Sequence, residues 1–239
     1  MHLHRHMTRD ALPYAVGAIG LGVVTLVYRD FLMQWQPVPR TVPMREALAM
    51  VSGLLLIAGG GAALWPDRRS PRWLLGALYA LWVVGLHVPA VAAKPDVGTL
   101  LGLAEILSLA AAGLLLAGVR HSAWPIRLYG LCPIVFGISH FVYAGFTATM
   151  VPAWIPPNGL FWAYFTGAAH LAAGLALVSG FQARLAATCL AAMCGLFVLL
   201  LHAPRVVADP SSRVEWTMFF VALSIAGGAW IVRRSLSAR

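Results

Sequence analysis

The stretch LLLHAPRVVADP, Leu199 to Pro210, ends a long apolar run with a histidine, two prolines and an arginine. Its last ten residues can be laid over LHVPAVAAKP, Leu86 to Pro95. Six of the ten positions are identical, the histidine and both prolines among them. The offset is 115 residues. In the same register Gly22 falls on Gly137, Val27 and Tyr28 on Val142 and Tyr143, Phe31 on Phe146, and Pro37 on Pro152. Chance would give roughly one match in ten. Two patches in one register therefore read as an internal repeat.

Composition says what is repeated. Of the 239 residues, 60% are hydrophobic and 10% are charged, whereas a soluble domain carries about a quarter charged residues. A transmembrane helix needs roughly 20 apolar residues. Eight stretches qualify: 11–33, 44–65, 72–93, 98–119, 126–149, 159–180, 183–203 and 214–233. They lack period-2 alternation, which leaves helices as the membrane-spanning structure. The expected fold is an all-α polytopic membrane protein with eight transmembrane helices in two four-helix units, 11–119 and 126–233. A tail, residues 1–10, precedes them and does not read as a cleaved signal peptide. Four is an even number, so both units enter the membrane in the same direction and are parallel repeats.

The net charge of +9 falls between spans and so reads as topology rather than as a nucleic-acid surface. With a cytoplasmic N-terminus the inner segments hold eleven arginines (5, 9, 68, 69, 72, 120, 127, 184, 233, 234 and 239). The outer segments hold Arg29, Arg40, Arg45, Lys94, Arg205 and Arg213. The positive-inside rule then places both termini in the cytoplasm, in what reads as a bacterial inner membrane.

Ionisable residues at membrane depth are costly and mark functional sites. The chain has five: His87, Glu105, His140, His170 and His202. Counting 1.5 Å per residue puts His140 and His170 roughly 13–17 Å below the outer surface, on consecutive antiparallel helices. They are the candidate site, with Glu105 and His202 at its rim. Small neighbours, Gly137, Ala144, Gly167, Ala173 and Gly174, leave space beside the rings for a helix or a flat cofactor. Such a pair could ligate haem axially, bind a metal ion with further ligands, or hold a quinone carbonyl. A plain hydrogen bond between helices remains the alternative. His202 is echoed by His87 in a unit that lacks the other two histidines. L-H-x-P therefore reads as a way to finish the third helix, its imidazole bonding loose backbone near Pro204.

Other features add little. The N-terminal HLHRH offers alternating imidazoles without a fourth ligand. Cys132, Cys189 and Cys194 lie within spans and form no C-x-x-C. No nucleotide-binding, nucleophile-elbow or zinc-protease motif occurs.

The stretch FGISHFVYAGFTATMVPAWIPPNGLFWAYFTGAAHLAAGLALV, Phe136 to Val178, resembles the DoxX-like family of small four-helix membrane proteins. The likeness rests on G-x-x-H-F, then V-P-x-W-[IL]-P, then T-G-x-A followed by a polar residue. It covers about one fifth of the chain. It implies a setting in quinone-coupled sulfur oxidation or another membrane redox system. His140 matches the family histidine, while His170 stands where the family pattern has Glu. In the first unit Thr25 and Leu55 occupy the corresponding places. The expectation is a redox- or quinone-associated membrane protein with an outer-facing histidine site, partnered by lipid and by a quinone or redox protein. A structural or assembly partner and a small-solute transporter are the alternatives.

Overall fold

The structure, a computed structural model, describes residues 10–65, 71–119 and 123–237. It is all-helical, with no strand among the described residues. The helices are α1 Leu12–Tyr28, α2 Arg45–Leu64, α3 Trp73–Ala93, α4 Val97–Leu116, α5 Trp124–Val142, α6 Ala144–Met150, α7 Gly159–Ser179, α8 Ala183–Ala208 and α9 Arg213–Ser237. Seven of them (α2, α3, α4, α5, α7, α8 and α9) are long and apolar enough to cross a membrane. The N-terminal HLHRH lies outside the described residues.

α1 is shorter than the apolar run 11–33 implies. It has 17 residues and stops where Arg29 turns left-handed, at φ 51°. The chain then folds inward through a 3₁₀ turn, Met33–Trp35, that buries Phe31, Leu32, Trp35 and Gln36. Gln36 Nε2 donates to Ser52 Oγ of α2 at 2.7 Å. Asp30 accepts from Arg45 at 2.7 Å and lies 3.3 Å from Arg213 of α9. Burial would raise the Asp30 pKa. The Phe31 N–H and the Arg45 guanidinium outweigh it and hold the carboxyl below its ordinary value.

The prolines of the L-H-x-P motifs do not end their helices. Val83–His87 in α3 and Val198–His202 in α8 are π turns, and helix continues beyond them to Ala93 and Ala208. Proline lacks an N–H and strands a carbonyl one turn earlier. A π turn, with i→i+5 bonds, absorbs that mismatch inside a continuous helix. This corrects the end expected at residue 203. α4 begins on a capping box in which Asp96 accepts from the Thr99 N–H. Its carboxyl, bonded to Lys94 and to that N–H, has its pKa lowered to about 2.

Neighbouring helices close a ring in the order α1, α2, α3, α4, α5, α7, α8, α9 and back to α1, and α4 also meets α9 across the middle. Asp10 binds Arg234 and Trp230, which puts the start of α1 and the end of α9 on one face. The Asp30–Arg213 pair lies on the other. Small residues allow the close approaches: a Cβ on Gly113 would lie 2.5 Å from Gly76 Cα.

Most hydroxyls inside the ring are satisfied by backbone, the buried Tyr79 and Ser224 hydroxyls being exceptions. Thr25, Ser108, Ser139, Thr166, Thr217 and Ser235 each donate to a carbonyl three or four residues earlier. Two buried tyrosines instead reach across the bundle. Tyr14 donates to the Leu109 carbonyl of α4 at 2.8 Å, and Tyr129 to the Ile225 carbonyl of α9 at 3.3 Å. Tyr14→Phe and Tyr129→Phe are each expected to cost about 0.5–1.5 kcal/mol, with Tyr14→Phe the larger because its bond is shorter. The thermal midpoint of the detergent-purified protein measures this; unchanged midpoints would remove these tyrosines as struts.

Candidate functional site

α5 and α7 run antiparallel and meet through four glycines. Gly130 and Gly137 lie seven residues apart on α5, as do Gly167 and Gly174 on α7. A Cβ on Gly137 would sit 2.7 Å from the Gly167 carbonyl and 2.6 Å from Leu171 Cγ. One on Gly174 would sit 2.7 Å from the Gly130 carbonyl. The space that small residues leave near the histidines is therefore filled by the neighbouring helix.

This approach brings His140 and His170 together. Their ring centres are 4.9 Å apart, with planes 43° from parallel. His170 is buried, and His140 is partly exposed. Nδ1 of His140 bonds the Phe136 carbonyl at 2.8 Å, and Nδ1 of His170 bonds the Thr166 carbonyl at 2.9 Å. A carbonyl only accepts, so each Nδ1 carries the proton. In the neutral ring each Nε2 is then a lone pair. Neither Nε2 has a hydrogen-bond partner among the described residues. Nearby donors are already used by the backbone: Ser139 on Phe136, Thr166 on Trp162, and the Trp162 indole on Pro156. Phe136 meets the His170 ring edge-on at 5.7 Å, and Phe197 of α8 lies 6.0 Å from it.

Spacing discriminates among the cofactors named from the sequence. Imidazoles on opposite faces of one haem have centres roughly 6 Å or more apart, since each metal–nitrogen bond is about 2 Å. The observed 4.9 Å does not suit axial haem. A tetrahedral ion bonded to both Nε2 atoms brings the centres to about 5 Å, which the pair matches. Such an ion would take its other ligands from outside the protein, because no group of three or more His, Cys, Asp or Glu converges among the described residues. A pinned Nδ1–H beside a free Nε2 is also how metal-ligating histidines are commonly held.

The other intramembrane residues have partners or neighbours of their own. His87 donates from Nε2 to the Trp35 carbonyl at 3.1 Å and packs against Gly102, so it tethers the infolded 33–36 turn. Glu105 faces the Trp35 indole. His202 sits beside the ion pair of Arg205 and Glu215, which meet at 2.7 and 2.9 Å. Its Nδ1 is buried without a partner, so it does not bond loose backbone near Pro204. No hydrogen bond or ion pair joins Glu105 or His202 to the histidine pair among the described residues. The aromatic walls were not singled out from the sequence. Phe136 could have been, since it stands one turn before His140.

The loop between α6 and α7 is fixed locally. Asn158 caps α7 by accepting from the Phe161 N–H, and Trp154 is exposed. Cys132 and Cys194 are buried and Cys189 is exposed; all three are free thiols.

A family described as Domain of unknown function (DUF8561) matches residues 128–202, which run from α5 into the π turn of α8 and include the histidine pair. No curated protein matches the chain, and no solved structure does.

The glycine seam carries a direct test. Gly137→Leu is expected to lower stability by about 1–3 kcal/mol through overpacking. Gly145→Leu, at a position with nothing within 4 Å, should be close to neutral. Melting midpoints of the two variants decide it, and equal losses would mean that the seam does not set the helix spacing.

Proposed function

We propose that this is an eight-span inner-membrane protein of two parallel four-helix repeats, whose second repeat holds a ligand for membrane redox or quinone chemistry at His140 and His170. The observation that carries the site is the paired imidazoles, each with Nδ1–H fixed on its own helix and Nε2 left free. Two unpartnered acceptors at membrane depth are expensive unless a ligand meets them. The resemblance to DoxX-like proteins supports the redox setting.

Several features support the repeat. The π turns fall at the same 115-residue offset, as do Tyr14 and Tyr129. Thr25 bonds the Leu21 carbonyl as His140 bonds that of Phe136, again in the same register. The ring obeys the same exchange: α1–α2 mirrors α5–α7, α3–α4 mirrors α8–α9, and α4–α5 mirrors α9–α1. α1, with 17 residues, lies at the short end of the spanning range.

Charge supports an orientation with both termini in the cytoplasm. At the end away from the termini, Arg29, Arg45, Lys94, Arg205 and Arg213 each face a carboxylate. Arg29, Arg45, Arg205 and Arg213, which oppose the positive-inside pattern, are thus neutralised locally. A reporter fused after Arg239 should be active only in the cytoplasm; periplasmic activity would reverse the orientation.

The site reading is checked on detergent-purified protein by quinone extraction, metal analysis and an optical spectrum. A metal ion or a quinone-class molecule is expected near one per chain, and it should be lost in His140→Ala and His170→Ala. Protein that binds neither, as isolated or after incubation with each, would overturn it.

A further inference from the structure

The tautomers set the polarity of the site. A quinone carbonyl is an acceptor and needs a donor, yet each imidazole presents a lone pair at Nε2. The donors of Ser139, Thr166 and Trp162 are committed to backbone carbonyls. A ligand that satisfies the pair must therefore bring its own hydrogen. Phe136 and Phe197 flank His170 with aromatic faces and edges, and these suit a flat aromatic ring. Access is lateral. His140 is partly exposed, and so are Phe141 beside it in sequence and Tyr164, whose rings stack at 5.8 Å.

We propose that the His140–His170 pair is a hydrogen-bond acceptor site for the hydroxyl of a flat aromatic molecule dissolved in the bilayer, a phenol or the reduced, hydroquinone form of a quinone, entering from the lipid past His140. This rests on the ligand-site reading above and assigns its polarity. The hydroxyl donates to one Nε2 and the ring lies among the phenylalanines. The oxidised quinone, with carbonyls only, meets lone pair against lone pair.

The test uses the full chain in lipid nanodiscs with ¹⁵N-labelled histidine, whose Nε2 resonance separates a bare lone pair from one that accepts a hydrogen bond. A para-alkylphenol is compared with its methyl ether, and tetramethylhydroquinone with tetramethylquinone. The expected result is that the phenol and the hydroquinone shift Nε2 signals assigned by their loss in His140→Gln and His170→Gln. They should bind about tenfold more tightly than the ether or the quinone, the size of one hydrogen bond. Equal binding of phenol and ether, or Nε2 protonated in the ligand-free protein, overturns the proposal. Preference for the quinone overturns it while leaving the redox reading standing. Stoichiometric zinc binding at the pair without any phenol binding also overturns it and leaves a metal site. Binding of none of these removes both the inference and the site reading.

Discussion

The distance between α5 and α7 is the quantity on which the site depends. Inside a bilayer, lipid chains are as apolar as leucine, so helices gain little from merely hiding apolar surface. They associate by fitting closely, and the four glycines at 130, 137, 167 and 174 remove the side chains that would hold these two apart. Backbone then lies against backbone, and the next residues along each face are forced together. His140 and His170 are those residues, and their 4.9 Å separation follows from the seam. A wider crossing would leave two isolated imidazoles, each an ordinary polar residue bonded to its own helix.

A second constraint is that backbone polar groups in hydrocarbon must be satisfied within the protein. The chain meets it economically. Thr25, Ser108, Ser139 and Thr166 return their protons to the preceding turn, and Tyr14 and Tyr129 serve carbonyls on facing helices. Pro89 and Pro204 would each strand a carbonyl, and the π turns ahead of them distribute that defect without ending the helix. Among the described residues the His140 and His170 Nε2 atoms are left without partners side by side, unlike the scattered unpartnered atoms of Tyr79, His202 and Ser224. Half of each imidazole obeys the same local rule as a threonine, and the other half is left over.

Much of this was legible in the primary structure, and the failures have physical causes. Apolar run lengths place α2, α3, α4 and α7 within a few residues, because hydrocarbon thickness sets them. The run 11–33 misleads because Phe31 and Leu32 are buried by an infolded turn rather than by helix. Tyr143 likewise breaks the run 126–149 into α5 and α6 by leaving helical geometry at ψ 33°. Counting residues along antiparallel helices put His140 and His170 level with each other, and their rings do meet. It could not say which nitrogen faces inward. That depends on side-chain rotamers, and the i−4 carbonyl captures Nδ1 in both. The small residues were visible but ambiguous, because a glycine that admits a cofactor and one that admits a helix look alike in a string of letters. His202 was misread for a related reason: proline after histidine signals a helix end unless a π turn intervenes.

The order of the ring has a consequence for assembly. α1 packs along α9 and α4 along α5, while within the halves α1 meets α4 through Tyr14 and α5 meets α9 through Tyr129, so each half makes its most extensive end contacts with the other. A half alone would leave two long apolar seams open. On the tandem reading, two copies of one four-helix chain would seal the same seams by exchanging partners across a twofold axis. Joining them in one polypeptide fixes the stoichiometry and releases the halves from identity. One half can then fill its interior with an infolded tryptophan turn held by His87, while the other keeps a pair of imidazoles in reserve. A homodimer would have to carry either feature twice, and this single chain carries each once.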